Sequence, residues 1–168
     1  HQFGFISGKG TTDAMLVLRN LMEKSDRKSR DQELWMMFID YAKAFDTVTH
    51  RALWDTLLEF GVPEHLVWII RQLYLKAVGV VRIPDGVTEC FPFGKGVRQG
   101  CLLSPMLFNA VGEKIMRLVA QDVDHDVGCK VGGEVISNIR YADDTTLLAK
   151  NKHELEDLAK SVETHSET

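Results

Sequence analysis

Apolar residues at Ala14, Val17, Leu18 and Leu21 recur at three- and four-residue spacing, so a helix is predicted. Thr11-Thr12-Asp13 supplies side-chain oxygens to cap its start. The helix is expected to fade in the charged run Lys24–Glu33, read as a solvated loop. Leu34-Trp35-Met36-Met37-Phe38-Ile39 is a short apolar run bounded by charge, which predicts a fully buried strand ending at Asp40. Thr49 is placed to cap a helix carrying Leu53, Leu57 and Leu58, with Gly61 as its stop. Pro63 then sits in the first turn of a helix through Leu66, Ile69, Ile70 and Leu73. Val78–Ile83 and Val87–Phe93 flank the turn signal Asp85-Gly86, predicting a hairpin after Pro84. Gly94, Gly96 and Gly100 punctuate a loop, and Ser104-Pro105 opens a helix through Leu107, Val111, Ile115 and Leu118. Gly132-Gly133 reads as a turn, Val135–Ala149 as two strands joined near Ala142-Asp143-Asp144, and a last helix starts at about Lys152. With no repeat, low-complexity tract or linker, one continuous α/β unit is expected.

Composition changes this picture little. The 168 residues are 45% hydrophobic and 26% charged, ordinary for a globular chain, and no apolar run approaches the roughly 20 residues that cross a bilayer. A start at His1 without Met reads as the middle of a longer chain. Cys90, Cys101 and Cys129 form no Cys-x-x-Cys pair, which argues against zinc and for a reducing intracellular setting. Charge matters more. Twenty basic against 24 acidic side chains give −4, which by itself speaks against nucleic-acid binding, because phosphate contacts need Lys and Arg.

Three segments carry candidate chemistry. In Tyr141-Ala142-Asp143-Asp144 a tight turn exposes two adjacent carboxylates, whose oxygens suit Mg²⁺ or Mn²⁺ better than zinc. Like charges so close are costly without a cation, although Asp is also a common residue of metal-free turns. In Phe38-Ile39-Asp40-Tyr41-Ala42-Lys43-Ala44-Phe45-Asp46 an acid ends an apolar strand and a second acid follows six positions later. Asp46 is read as a helix cap; Asp40 is a strand-end acid that becomes a ligand if it meets a partner. Gly96-Val97-Arg98-Gln99-Gly100 precedes the helix at Ser104-Pro105, where free amides favour phosphate. It reads equally as a glycine-rich loop with a serine cap.

Taken in order, these segments resemble the A, B and C motifs of reverse transcriptases: Phe-x-Asp-x-x-Lys-Ala-Phe-Asp, Arg-Gln-Gly-x-x-x-Ser-Pro-x-Leu-Phe-Asn and Tyr-Ala-Asp-Asp. The Lys-Ala-Phe-Asp extension with His50 and Leu53 is similar to the non-LTR, LINE-type retrotransposon branch. Gln2-Phe3-Gly4-Phe5 with Lys9-Gly10-Thr11-Thr12 resembles that branch's fingers motif, so the likeness spans nearly the whole chain.

The resemblance implies an α+β fold: a ferredoxin-like antiparallel palm sheet backed by helices, with mainly helical fingers. It implies an RNA-directed DNA polymerase core, residues 1–168, truncated at both ends, acting on an RNA template, a DNA primer and dNTPs. Asp40, Asp143 and Asp144 would be catalytic and would bind two Mg²⁺ ions, or Mn²⁺. The Asp40 and Asp143 carboxylates are then expected within about 4–6 Å of each other. Phe45 matches the residue that crowds the nucleotide 2′ position; Gln99 and Gly100 match the loop beside the incoming nucleotide, and Tyr141 lies near the primer end. Arg98 is assigned to phosphate on electrostatic grounds alone. The scattered histidines receive no metal or acid–base role. Setting the three metal-binding acids aside leaves 20 basic against 21 acidic groups.

Two departures stand out. Ile6 occupies a position where many relatives carry Arg, and the later palm motif, thumb and endonuclease regions of such a polyprotein are not in these residues. The 168 residues alone are therefore not expected to extend a primer processively. A retrotransposon ribonucleoprotein implies an intracellular setting in nucleus and cytoplasm, without a membrane. The alternatives are an inactive element-derived relic that binds nucleic acid weakly, and a different two-metal phosphoryl-transfer enzyme. The Gln-Gly loop has no role in the latter.

Overall fold

The computed structural model describes residues 1–27 and 33–166. Where one continuous unit was expected, the chain forms two compact units, His1–Ala44 with Gly112–Thr168, and Phe45–Val111.

The first unit is built on a three-stranded antiparallel sheet in which β9 (Asp144–Ala149) lies between β1 (Trp35–Ile39) and β8 (Asn138–Tyr141). The register pairs Trp35 with Ala149 and Ile39 with Thr145 on one side of β9, and Asn138 with Leu147 and Tyr141 with Asp144 on the other. Because side chains alternate across a strand, this register sorts them into two faces. On one face Trp35, Met37, Ile39, Leu147 and Ala149 pack with Met116 and Val119 of α5 (Ser104–Asp122) and Leu155, Leu158 and Val162 of α6 (Lys152–Ser166). On the other, Met36, Leu148 and Ile139 pack with Ala14 and Leu21 of α1 (Thr11–Arg27).

The α1 face is covered only toward the Leu148 end. At the other end Phe38 is 71% exposed, so β1 is not the fully buried strand its composition predicts. It is an edge strand with a single ladder partner, and its last residues run past the helix cover. The first helix ends at Arg27, inside the run Lys24–Glu33 where it was expected to fade, so the first residues of that run are helix and not loop, and residues 28–32 lie outside the described residues. Val135 and Ile136 do not belong to the central sheet; they form β7 (Glu134–Ile136), which pairs with β6 (Cys129–Val131) around the Gly132-Gly133 turn.

In the second unit α2 (Ala44–Thr47), which starts at the last residue of the first, is followed by α3 (His50–Glu59) and α4 (Glu64–Leu75). Thr49 accepts a hydrogen bond from the Ala52 amide at 3.2 Å, so it caps α3 as expected. Asp46 does not cap that helix. It lies inside α2, and the extended backbone at Thr49 starts the next helix afresh. Gly61, with φ of 77°, ends α3 in the left-handed conformation that glycine adopts at least cost. Pro63 stands one position earlier than predicted, immediately before α4. The hairpin consists of two short pairs, β2 (Val78–Gly79) with β5 (Phe91–Pro92) and β3 (Arg82–Ile83) with β4 (Gly86–Val87). Its tip is Pro84-Asp85, one residue before the predicted turn, because Gly86 pairs with Ile83. Leu53, Leu57, Val67, Tyr74, Val97 and Leu107 form this unit's own buried cluster.

No helix among the described residues is long and apolar enough to cross a membrane. Leu158 of α6 is fully buried against β9. Leu158→Ala leaves a cavity under the central strand and is expected to lower the unfolding free energy by about 2–5 kcal/mol in denaturant titration.

Candidate active site

The sheet register decides where the acids go. The β1–β9 ladder ends at Ile39–Thr145, Asp40 is the next residue beyond it, and Asp144, which opens β9, pairs with Tyr141. Directly opposed residues of antiparallel strands have Cα atoms about 4.5–5.5 Å apart and side chains on the same face. Asp144 and Tyr141 therefore share the open end of the face that carries Phe38, and Asp40 continues the alternation of β1 one residue beyond the last ladder pair. Asp143 sits in the two-residue turn Ala142-Asp143 between β8 and β9, with Ala142 at φ of 56°. A positive φ at the first turn position suits the twist of a two-residue hairpin, but costs a non-glycine residue strain.

Asp40 and Asp144 are exposed and Asp143 is half-buried. Among the described residues, none of the three carboxylates is held by an ion pair or a side-chain hydrogen bond. An all-oxygen donor set with open carboxylates at one strand end fits a hard divalent cation in ligand chemistry. The backbone register brings the acids together, but among the described residues no three His, Cys, Asp or Glu side chains converge into a metal-holding group.

The turn is braced from the chain's first residues. Oε1 of Gln2 accepts hydrogen bonds from the amides of Phe3 (3.0 Å), Gly4 (2.8 Å) and Ala142 (3.1 Å), and its Nε2 donates to the Ala142 carbonyl at 3.3 Å. The Phe3 amide donates to the Arg140 carbonyl, and the Arg140 amide to the His1 carbonyl, both at 2.8 Å. A Cβ on Gly4 would stand 2.2 Å from the Ala142 nitrogen, so only glycine allows this approach. Beneath the same strand, Arg140 is 4% exposed, and its Nη2 donates to Oε2 of Glu113 on α5 at 2.7 Å.

The second unit holds the other predicted residues. Gly96 donates to the Val48 carbonyl and Val97 to the Phe45 carbonyl, each at 2.7 Å. A Cβ on Gly96 would meet the Asp46 backbone at 3.0 Å, so the glycine loop lies directly on the segment that presents Phe45. The Phe45 ring stacks on Phe108, centroids 4.4 Å apart and planes within 12°, at the edge of the apolar cluster. Arg98 is engaged locally: it donates to the Leu73 carbonyl at the end of α4 and lies over the Tyr74 ring. Gln99 and Gly100 are exposed, with Gly100 at φ of 81°. His50 meets the Gly96 carbonyl at 3.1 Å and packs edge-on against Tyr74, a structural use of its ring.

A family model described as reverse transcriptase (RNA-dependent DNA polymerase) matches residues 1–168. The chain belongs to the reverse transcriptase family. Its relatives include the Pol polyprotein of the type-2 retrotransposable element R2DM of Drosophila melanogaster, 30% identical over 90% of this chain and 14% of that protein. The R2 Pol polyprotein of Nasonia vitripennis is 28% identical over 92% of this chain and 14% of its own length. The transposon TX1 149 kDa protein of Xenopus laevis is 30% identical over 90% and 11%. These are non-LTR elements, as the Lys-Ala-Phe-Asp extension implies, and the chain spans about a seventh of their length or less. Among solved structures, apo telomerase from Candida tropicalis, truncated from its C-terminal domain, matches 90% of this chain and 31% of that chain at 17% identity and a TM-score of 0.68. The same organism's telomerase in complex with a TWJ fragment of telomeric RNA matches 93% and 28%, at 13% identity and a TM-score of 0.65. This likeness establishes the α+β reverse transcriptase fold.

Within this reverse transcriptase domain, sequence reasoning missed two supports. Gln2 was noticed only as part of a fingers motif, and nothing local in the sequence ties it to a turn 140 residues away. The Arg140–Glu113 pair was not anticipated, although an arginine on the inward parity of a buried strand signals the need for a partner. Burial pushes the Glu113 carboxyl up, but the hydrogen bonds and charges of Arg140 and Arg117 outweigh it and hold the group below its ordinary value of 4.5. A carboxyl with a depressed folded pKa contributes stability above its unfolded pKa and loses it as pH falls through the folded one. Stability should therefore decline as pH drops below about 4.5, and Glu113→Gln should flatten that part of the profile in denaturation measured from pH 7 to 3. Glu113→Ala, which strands the buried guanidinium, should cost near the low end of roughly 3–5 kcal/mol, because Glu113 itself keeps contact with water.

Proposed function

We propose that this domain is the catalytic core of an RNA-directed DNA polymerase that transfers a nucleotide from a dNTP to a primer 3′-hydroxyl on an RNA template. The observation that carries the reading is the sheet register that brings Asp40, Asp144 and the Asp143 turn to one open strand end. Asp40 and Asp143 would hold two Mg²⁺ ions, or Mn²⁺, with Asp144 in support. Bound there, the ions supply Lewis acidity to the 3′-hydroxyl and to the departing pyrophosphate. The chain's own part is to set those acids by the backbone, Asp144 at the start of β9, Asp143 in the turn before it and Asp40 directly after β1. Tyr141, on the same face as Asp144, is assigned to the primer end.

In the second unit, the Gly96–Gly100 loop offers the exposed amide of Gln99 and the open backbone of Gly100 to the nucleotide and template. Phe45 is assigned to sugar selection. Its ring, held by Phe108, is stiff enough to act as a steric stop against a 2′-hydroxyl. Arg98 would serve phosphate with the donors that its bond to the Leu73 carbonyl leaves over. Other parts of a longer retrotransposon polyprotein, a thumb and an endonuclease, would supply the basic groove that a domain at −4 lacks. Such a protein works in a ribonucleoprotein of the cytoplasm and nucleus.

Two substitutions test this in the protein that carries the domain. Asp143→Asn keeps the side-chain shape but removes the ligand charge, so primer extension with Mg²⁺ should fall by roughly 10²-fold or more while RNA binding persists. Near-normal extension would refute the assignment. An inactive relic would instead show no extension before any substitution. Phe45→Ala should admit ribonucleotides while dNTP use persists; unchanged rNTP/dNTP discrimination would reduce Phe45 to packing on Phe108.

A further inference from the structure

We propose that Gln2 is a positioning residue for the Asp143-Asp144 turn, its side-chain amide standing in for a peptide partner that the turn lacks. The proposal rests on the metal-site reading of those acids, and it concerns the chain's own geometry.

Hydrogen-bond accounting at the turn supports it. Ala142 is the first residue of the turn, so its N–H and C=O have no ladder partner in β8 or β9. It also holds a φ of 56°, which an alanine occupies only when its surroundings enforce it. The Gln2 amide satisfies both groups at once: Oε1 accepts from the Ala142 N–H and Nε2 donates to the Ala142 C=O. A peptide unit on a neighbouring strand would offer the same donor and acceptor pair. A carboxylate lacks the donor and an ammonium the acceptor, and a hydroxyl has to serve both groups from a single oxygen.

The clasp itself is held in place. Oε1 also accepts the amides of Phe3 and Gly4, which fixes the side chain over its own backbone. The backbone is anchored to β8 through the two hydrogen bonds with Arg140. Gly4 lets the segment lie against Ala142, where any Cβ would collide with its nitrogen. Arg140 is the residue before Tyr141, and its side chain is tied to Glu113 on the opposite face. The turn that presents Asp143 is thus gripped on both sides, and the Gln2 side chain bonds directly to its backbone at Ala142.

The test compares three variants by amide hydrogen exchange, and by primer extension in the protein that carries the domain. Gln2→Met keeps length and bulk without hydrogen bonds. It should speed exchange at the Ala142 amide about tenfold or more, while Leu147–Ala149 in the buried strand stay protected as in the unsubstituted chain. Extension should fall through kcat, with dNTP KM little changed, as expected when the catalytic acids are misplaced and not when binding is lost. Gln2→Glu retains the acceptor for the three amides and should keep Ala142 protection within about threefold. Asp143→Asn should abolish extension without altering exchange at Ala142.

Unchanged Ala142 exchange or unchanged kcat in Gln2→Met overturns the positioning role and leaves the metal reading intact. Normal extension by Asp143→Asn sinks the metal reading whatever Gln2 does. If Gln2→Met loses protection throughout the sheet, Gln2→Glu decides. Protection retained at Ala142 supports the clasp; protection lost there while Leu147–Ala149 stay protected overturns it.

Discussion

The ladder on both sides of β9 is the constraint on which the rest of the structure depends. Its residues Leu147, Leu148 and Ala149 are completely buried, with Leu147 and Ala149 facing the α5–α6 layer and Leu148 facing α1. A slip of one residue against β1 would turn Leu148 toward the wrong helix layer and would move Asp144 to the opposite face from Asp40. The packing of apolar residues at one end of the strand therefore fixes the acids at the other end. Burial stabilises the register, and the register places the chemistry.

Much of this was legible in the sequence, because the deciding signals were local. The apolar run before Asp40, the two strands meeting at Ala142-Asp143 and the Ser104-Pro105 helix start each depend on neighbours within a few residues. Phe38 shows where locality fails. A hydrophobic run does not reveal which strand will be central, and as an edge strand β1 leaves Phe38 in the open. Asp46 shows a related limit: two cap candidates stand three residues apart, and the chain uses Thr49 while Asp46 lies inside the short helix before it. The Gln2–Ala142 clasp and the Arg140–Glu113 pair join residues far apart in sequence, so no periodicity or turn signal could show them.

The second unit follows a related logic with backbone instead of side chains. The segment presenting Phe45 and the glycine loop meet through two short main-chain hydrogen bonds, and Gly96 is needed because Asp46 leaves no room for a Cβ. Two motifs some fifty residues apart in sequence are thereby locked to each other. The ring of Phe45, stacked on Phe108 in α5, inherits its position from that lock. Glycine here serves close approach between backbones, whereas Gly100, with nothing near its missing Cβ and φ of 81°, serves the turn alone.

Three carboxylates at one strand end repel one another, and no described cation sits among them to offset it. Exposure reduces the cost, because water screens charges that a dry interior would not tolerate. A backbone free to relax would still spread them apart. Here it is not free. Asp40 directly follows the last ladder pair of β1, Asp144 is held by its pairing with Tyr141, and Asp143 by a turn whose strained alanine is secured through Gln2. The stability of that frame is generated elsewhere, in the leucines of β9 and the helices that cover them. Under the proposed function a divalent cation would relieve such an arrangement, and that proposal leans on the register and the turn that set the acids' backbone, not on any single acid.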